Sequence, residues 1–120
     1  MTRDSKFQEA VEALRSFRDA RDWKQFHTPR QLAAALAIEA SELQQVMLWR
    51  TDDDVVAGLA DTTLQEKLAD ELADILSFAL LLAHDVGLDP AQLIQSKLER
   101  NELRYPVEKS RGRATKYTDL

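Results

Sequence analysis

Four carboxylates, Glu39, Glu42, Glu71 and Asp74, are the residues of this chain whose types and spacing could do chemistry. Leu36, Glu39, Leu43 and Val46 follow the 3-4-3 spacing of a buried helical face, and Leu68, Glu71 and Ile75 lie on a second such stripe. In each stretch a glutamate takes a slot that should hold an apolar side chain. Each is followed three residues later by a second carboxylate, Glu42 or Asp74, one turn along the same face. Burying an ionised carboxylate is costly unless it is paired or ligates a metal, and like charges close together raise one another's pKa. A hard divalent cation resolves the conflict: Mg²⁺ takes oxygen ligands at roughly 2.0–2.1 Å and keeps waters that a phosphate can replace. The alternative is a pair of solvated helix faces, with Lys67 or Arg50 neutralising part of the charge.

Other metals suit these residue types poorly. A di-iron bundle takes a Glu-x-x-His pair from each of two helices, and neither His27 nor His84 follows a glutamate by three. Zinc is disfavoured for want of nitrogen and sulfur ligands, and the absence of cysteine also removes disulfides and thiolate nucleophiles. His84 reads as a surface group or a partner for the dipole at a helix end.

The helices that must position the carboxylates show as apolar periods. Phe7, Val11, Leu14 and Phe17 mark a first helix from about Ser5 to Arg21. A turn follows around Trp23 to His27. Thr28 and Gln31 then form a capping box with Pro29 at the first helical position, and the second helix runs on to about Trp49. The acidic, glycine-containing segment from Arg50 to Asp61 reads as a connector with room for one short helical turn. A third helix, Thr62 to Val86, carries the nearly all-apolar run ILSFALLLA, which marks it as central to the core, and ends at Gly87, a left-handed C′ residue. Asp89 and Pro90 cap and open a fourth helix that fades near Tyr105-Pro106. The expected fold is all-α: a four-helix, bundle-like protomer over residues 1–108, then a basic tail, 109–120, that is either a disordered end or a flap over a bound substrate.

A chain of 120 residues fits one domain but is too short to enclose a large cleft without a second copy, so a homodimer or homotetramer is expected. A net charge of −5 disfavours a nucleic-acid partner, since such proteins neutralise phosphates with basic patches. The opening MTRDSKFQEA lacks the apolar core of a signal peptide, and the longest apolar run, Ile75 to Ala83, is too short to cross a bilayer. The expectation is a cytoplasmic protein with no membrane partner.

The paired ExxE and ExxD motifs resemble those of the MazG-like all-α nucleoside triphosphate pyrophosphohydrolases. The stretch ARDWKQFHTPRQLAAALAIEASELQQVMLW, the ELADIL core, SKLERNELRYP and the closing KYTDL resemble the dCTP pyrophosphatase branch of that family in order and spacing. The resemblance implies a Mg²⁺-dependent enzyme, with Mn²⁺ as a substitute ion, that hydrolyses dCTP or a modified dCTP to the monophosphate and pyrophosphate. It further implies that Glu39, Glu42, Glu71 and Asp74 are the ligands, that one of them doubles as the base, and that paired subunits form a dimer or tetramer. One departure stands out: the broader family pattern opens with a double glutamate, whereas Ile38 precedes Glu39 here. Asp70 is either an outer support for Glu71 or a solvated charge.

Carboxylates and a cation do not choose a nucleobase. Trp23 and Trp49 offer flat faces and an N–H donor, and the same resemblance moves both from plain core toward a base pocket. His27, in the QFHTP turn, either reaches the base or sugar or caps the turn; Phe78, one turn after Asp74, lines the sugar or belongs to the core. On the fourth helix Lys97, Asn101 and Arg104 share one face beside Tyr105. That face is either solvated and paired with Glu99 and Glu102 or, as the resemblance implies, a set of contacts to phosphates and nucleotide. Lys109, Arg111, Arg113 and Lys116 make the tail basic. The competing function is a non-enzymatic helical module whose carboxylate stripes act as specificity charges at a partner interface. A narrower variant keeps fold and metal but takes dUTP or an oxidised or methylated pyrimidine triphosphate.

Overall fold

The computed structural model describes residues 3–120; Met1 and Thr2, which open the segment read for a signal peptide, lie outside them. The described residues form α-helices and no strand: α1 (Arg3–Ala20), α2 (Pro29–Met47), α3 (Asp52–Leu59), α4 (Thr62–Asp85), α5 (Pro90–Arg104) and α6 (Val107–Ser110), then a 3₁₀ turn over Tyr117–Asp119. They make two compact units, one ending at Val86 and carrying α1 to α4, the other running from Gly87 to Leu120.

Local chemistry fixes the helix ends where the sequence places them. The Thr28 hydroxyl accepts from the Gln31 amide at 3.3 Å, with Pro29 opening α2. Asp61 accepts from the Thr63 amide at the start of α4, and Asp89 from the Gln92 amide at the start of α5. Gly87, at φ 76°, takes the left-handed position past the end of α4, where a Cβ would be strained.

The expectation of four helices is corrected in two places. The segment read as a connector contains α3, because Thr51 and Asp54 form a reciprocal capping box and Asp52, Asp53 and Asp54 put negative charge at the positive end of the helix. The acidic run that looked like a loop signal is a first-turn signal. The tail is likewise structured: the Tyr117 ring meets Tyr105 edge-on at 5.8 Å, and the Arg104 guanidinium lies 4.8 Å from the Tyr117 ring centroid. These contacts tie the last residues to the end of α5. Finally, α2 stops at Met47 rather than Trp49, since Leu48 is extended and Trp49 takes a left-handed φ of 64°.

Within the first unit α4 is central, as its apolar run requires: α2 packs along it most extensively, and α3 and α1 also rest on it. Among the described residues Leu32, Leu64, Leu81 and Ala83 are the buried apolar ones. Gly58 lets α3 approach α4 closely, since a Cβ there would lie 2.5 Å from Leu64 Cδ2. The chain by itself leaves Ile38, Val56 and Leu76 more than half exposed, at 59%, 70% and 54%.

Candidate functional site

The packing of α2 on α4 brings the interrupting glutamates face to face. Glu39, Glu42 and Glu71 each offer a carboxylate oxygen, and the three oxygens lie within 4.8 Å of one another. All three side chains are half-buried. Glu39 Oε2 and Glu71 Oε2 are shielded from solvent and have no hydrogen-bond partner. Burial first, and then the neighbouring Glu42, push the Glu39 carboxyl up to about 7, with Glu71 and Asp74 adding to the rise. Burial is also the main reason Glu71 lies above the ordinary range; Glu39 pulls it down, while Glu42 and Asp74 push it up. Asp74 stands outside the group of three but close enough for its charge to act on both glutamates.

A set of acceptor-only oxygens with two buried members lacking donors fits a hard divalent cation and gives no nitrogen or sulfur to a softer one. The three glutamates, with Asp74 nearby, thus form a carboxylate cluster whose chemistry suits such a cation.

Asp74 also borders a second feature, a cavity of about 230 Å³ lined by Leu14, Phe17, Arg18, Trp23, His27, Asp74, Ser77, Phe78 and Leu81. The loop that supplies two of these aromatic groups is held by its own backbone. Trp23 N–H donates to Arg18 C=O at 3.2 Å and Asp22 N–H to Asp19 C=O at 3.0 Å, with Asp22 at φ 54°, which is the double closure of a Schellman turn ending α1. His27 N–H then donates back to Trp23 C=O and Lys24 C=O. Gln25 Nε2 adds bonds to the Asp22 carbonyl and carboxylate. Four rings follow in series along the wall: Phe17 meets Trp23 edge-on at 5.7 Å, Trp23 lies 6.4 Å from His27, and His27 meets Phe78 edge-on at 6.2 Å. Burial, and next the charge of Arg18, lower the pKa of His27, and its Nδ1 is buried without a partner.

The sequence reading passed over Arg18, which also lines the cavity, and its partner Asp85. Arg18 is 2% exposed and makes a two-bond pair with Asp85, Nη1 to Oδ2 at 2.6 Å and Nη2 to Oδ1 at 2.9 Å. The bond to Asp85 holds the guanidinium pKa up, and the same bond holds the Asp85 carboxyl down. The signal was available: Val11, Leu14 and Arg18 share the face of α1 that faces inward, while Phe17 is 49% exposed. Arg18 interrupts an apolar stripe as Glu39 does.

Of the residues singled out in the sequence, Glu39, Glu42 and Glu71 thus meet, Asp74 adjoins them, and Trp23, His27 and Phe78 share the cavity that Asp74 borders. Trp49 does not line it; it is 93% exposed at the end of α2. In the second unit Lys97 and Asn101 flank a cleft with Leu93, Ile94 and Leu98, while Arg104 stacks on Tyr117.

The chain is similar to known proteins over most of its length. The chain is 40% identical over 104 residues to dCTP pyrophosphatase 1 of Mus musculus, a match covering 87% of this chain and 61% of that protein. The Homo sapiens dCTP pyrophosphatase 1 is 36% identical over the same extent. The chain thus spans about three fifths of the length of the curated relatives it matches. A crystal structure of a pyrophosphatase from Archaeoglobus fulgidus superposes with a TM-score of 0.78 at 33% identity, covering 84% of this chain and 93% of that one. The sequence model of the MazG-like family matches residues 34–120, a span that includes Glu39, Glu42, Glu71 and Asp74, and the chain belongs to that family.

Proposed function

We propose that the chain hydrolyses a (deoxy)nucleoside triphosphate, with dCTP or a modified dCTP as the preferred substrate, to the monophosphate and pyrophosphate. The observation that carries the reading is the cluster of Glu39, Glu42 and Glu71, with two buried unpartnered oxygens, and beside it Asp74, whose charge acts on the cluster and whose side chain lines the aromatic cavity. The relatives named dCTP pyrophosphatase 1 and the archaeal pyrophosphatase support the reaction class.

Glu39, Glu42 and Glu71, with Asp74, are the residues that would hold Mg²⁺. When bound, the cation supplies neutralisation of phosphate charge and a lowered pKa for attacking water. One of these four carboxylates would also take the water's proton. The cavity is smaller than the roughly 300–1,000 Å³ of sites that enclose whole drug-sized ligands, so it takes one part of the substrate. Trp23, His27 and Phe78 suit a single flat base there, by ring contact and exclusion of water. On chemistry alone, Lys97 and Arg104 are proposed as phosphate contacts, and Asn101, Tyr105 and Trp49 as further contacts to the nucleotide.

The exposed apolar side chains of the first unit, Ile38, Leu72 and Leu76 among them, support assembly as a homodimer or homotetramer. A cytoplasmic site of action belongs to the same reading; no helix among the described residues is long and apolar enough to cross a membrane.

The test is pyrophosphate release from a panel of (deoxy)nucleoside triphosphates with Mg²⁺ or EDTA. The expected result is Mg²⁺-dependent release that favours dCTP. Absence of release from every nucleotide would overturn the proposal and return the carboxylate stripes to a partner interface.

A further inference from the structure

The wall that α4 gives the aromatic cavity consists of Asp74, Ser77, Phe78 and Leu81. Its hydrogen-bonding groups are Asp74 and Ser77, three residues apart and so on one face of the helix. An ionised carboxylate accepts hydrogen bonds and cannot donate them. A serine hydroxyl does both when free, but the hydrogen of Ser77 is already committed: Oγ–H donates to Ala73 C=O at 2.7 Å. That bond is exposed, so the lone pairs of Oγ stay accessible, and the Asp74 side chain is exposed as well. Arg18, the cation of the lining, is 2% exposed and paired with Asp85. The polar part of the α4 wall is therefore an acceptor edge. It adjoins the series Trp23, His27 and Phe78, whose rings suit a flat occupant, with Phe78 next to Ser77 in the chain.

We infer that Asp74 and Ser77 are specificity-determining residues, whose oxygens accept hydrogen bonds from the exocyclic amino group of a base held in the cavity. This rests on the reading of the cavity as the nucleobase site. It names what separates an amino-pyrimidine from a ring of the same size that carries a hydrogen or a carbonyl in that place, since contacts with the rings alone treat these alike. An amino group with a free choice of partner gains here, because both groups on offer accept. The role is compatible with Asp74 as a cation ligand: a carboxylate has about four lone-pair sites, enough for a cation on one side and an N–H on the other. Ser77 stands apart from the three glutamates that meet, and so its substitution isolates the reading of the base.

The experiment is equilibrium titration in EDTA with deoxycytidine and with the deoxynucleoside of 2-pyrimidinone, which lacks the amino group and is otherwise the same. Neither carries a phosphate, so neither turnover nor a cation enters the result. Wild type, Ser77→Ala and Asp74→Ala/Ser77→Ala are compared, with thermal melts of each; alanine suits a helix interior. The wild type is expected to bind deoxycytidine about ten- to a hundredfold more tightly than the analogue, as one charge-assisted bond allows. Ser77→Ala should cut that preference by about two- to tenfold, the share of one neutral bond, and the double variant should bind the two nucleosides alike. Should the double variant fail to fold, Ser77→Ala decides by itself. A preference unchanged in Ser77→Ala, or a wild type that binds both nucleosides equally or neither, overturns the inference. So does an equal loss for the two nucleosides, which would place a sugar hydroxyl at these acceptors. A preference lost with these residues in a protein that releases no pyrophosphate would sustain the inference and sink the hydrolase proposal alone. Mg²⁺-dependent release from dCTP, with a preference that ignores both residues, would do the reverse.

Discussion

Removing one half of the Arg18–Asp85 pair should destabilise the first unit far more than an ordinary ion pair would. In Arg18→Ala the Asp85 carboxylate, whose side chain is 9% exposed, keeps its burial and loses both guanidinium bonds. Breaking a buried pair from one side costs about 3–5 kcal/mol, against a total stability of roughly 5–15 kcal/mol for a domain. At about 4–8 °C per kcal/mol for a domain of this size, the melting temperature should fall by at least about 12 °C. Replacing both partners with apolar side chains, as in Arg18→Met/Asp85→Leu, should recover most of that loss, because no charge is then stranded. Denaturant unfolding of the two single variants and the double variant gives the coupling as a double-mutant cycle. The sign with pH is fixed by Asp85. Its folded-state pKa is depressed below the ordinary 3.8, chiefly by the Arg18 hydrogen bond, so its contribution is complete above 3.8 and is lost as pH falls from there through the lower folded-state value. Asp85→Asn should remove that part of the acid limb. A cost below about 1 kcal/mol for Arg18→Ala, the value for exposed pairs, would refute the reasoning.

Further outcomes follow from two other parts of the unit. Because Glu39 is pushed up to about 7, folded protein without a cation holds its proton more tightly than unfolded chain does, and stability should decline as pH rises from about 4.5 toward 7. Mg²⁺ should then raise the melting temperature at pH 8, and bind about tenfold more weakly at pH 6, where that proton must first be displaced; equal affinity at both values in calorimetric titrations would count against Glu39 as a ligand. Gly58→Ala should cost about 1–3 kcal/mol by thermal unfolding, because the new Cβ meets the buried Leu64 side chain at 2.5 Å; a neutral effect would show that α3 can shift away from α4.

The carboxylate site was legible because a helical period exposes any residue that violates it, and Glu39 and Glu71 violate theirs plainly. Arg18 was missed although it breaks the same rule. Phe17 next to it offered an apolar residue at helical spacing that completed the stripe on paper, and the long guanidinium stem let a charged residue occupy the face that the phenyl ring leaves. The helix caps at Thr28 and Asp89 could be read from local chemistry, since a side-chain oxygen needs only the next few residues to act. By contrast, α3 reads from sequence as no more than one short turn, because three successive aspartates and a glycine suit a loop as well as a helix start; the capping box of Thr51 and Asp54 decides for the helix. Whether a tryptophan is core or ligand depends on which neighbours reach it. The sequence put Trp23 and Trp49 on equal terms, and the structure separates them.

The Arg18–Asp85 pair also bears on how this chain can change over evolutionary time. Two positions separated by 67 residues share one electrostatic requirement, so a substitution at either alone passes through an intermediate carrying a stranded buried charge. Relatives should therefore hold the pair intact, exchange both members together, or replace both with uncharged side chains. Positions 18 and 85 should accordingly covary as a unit.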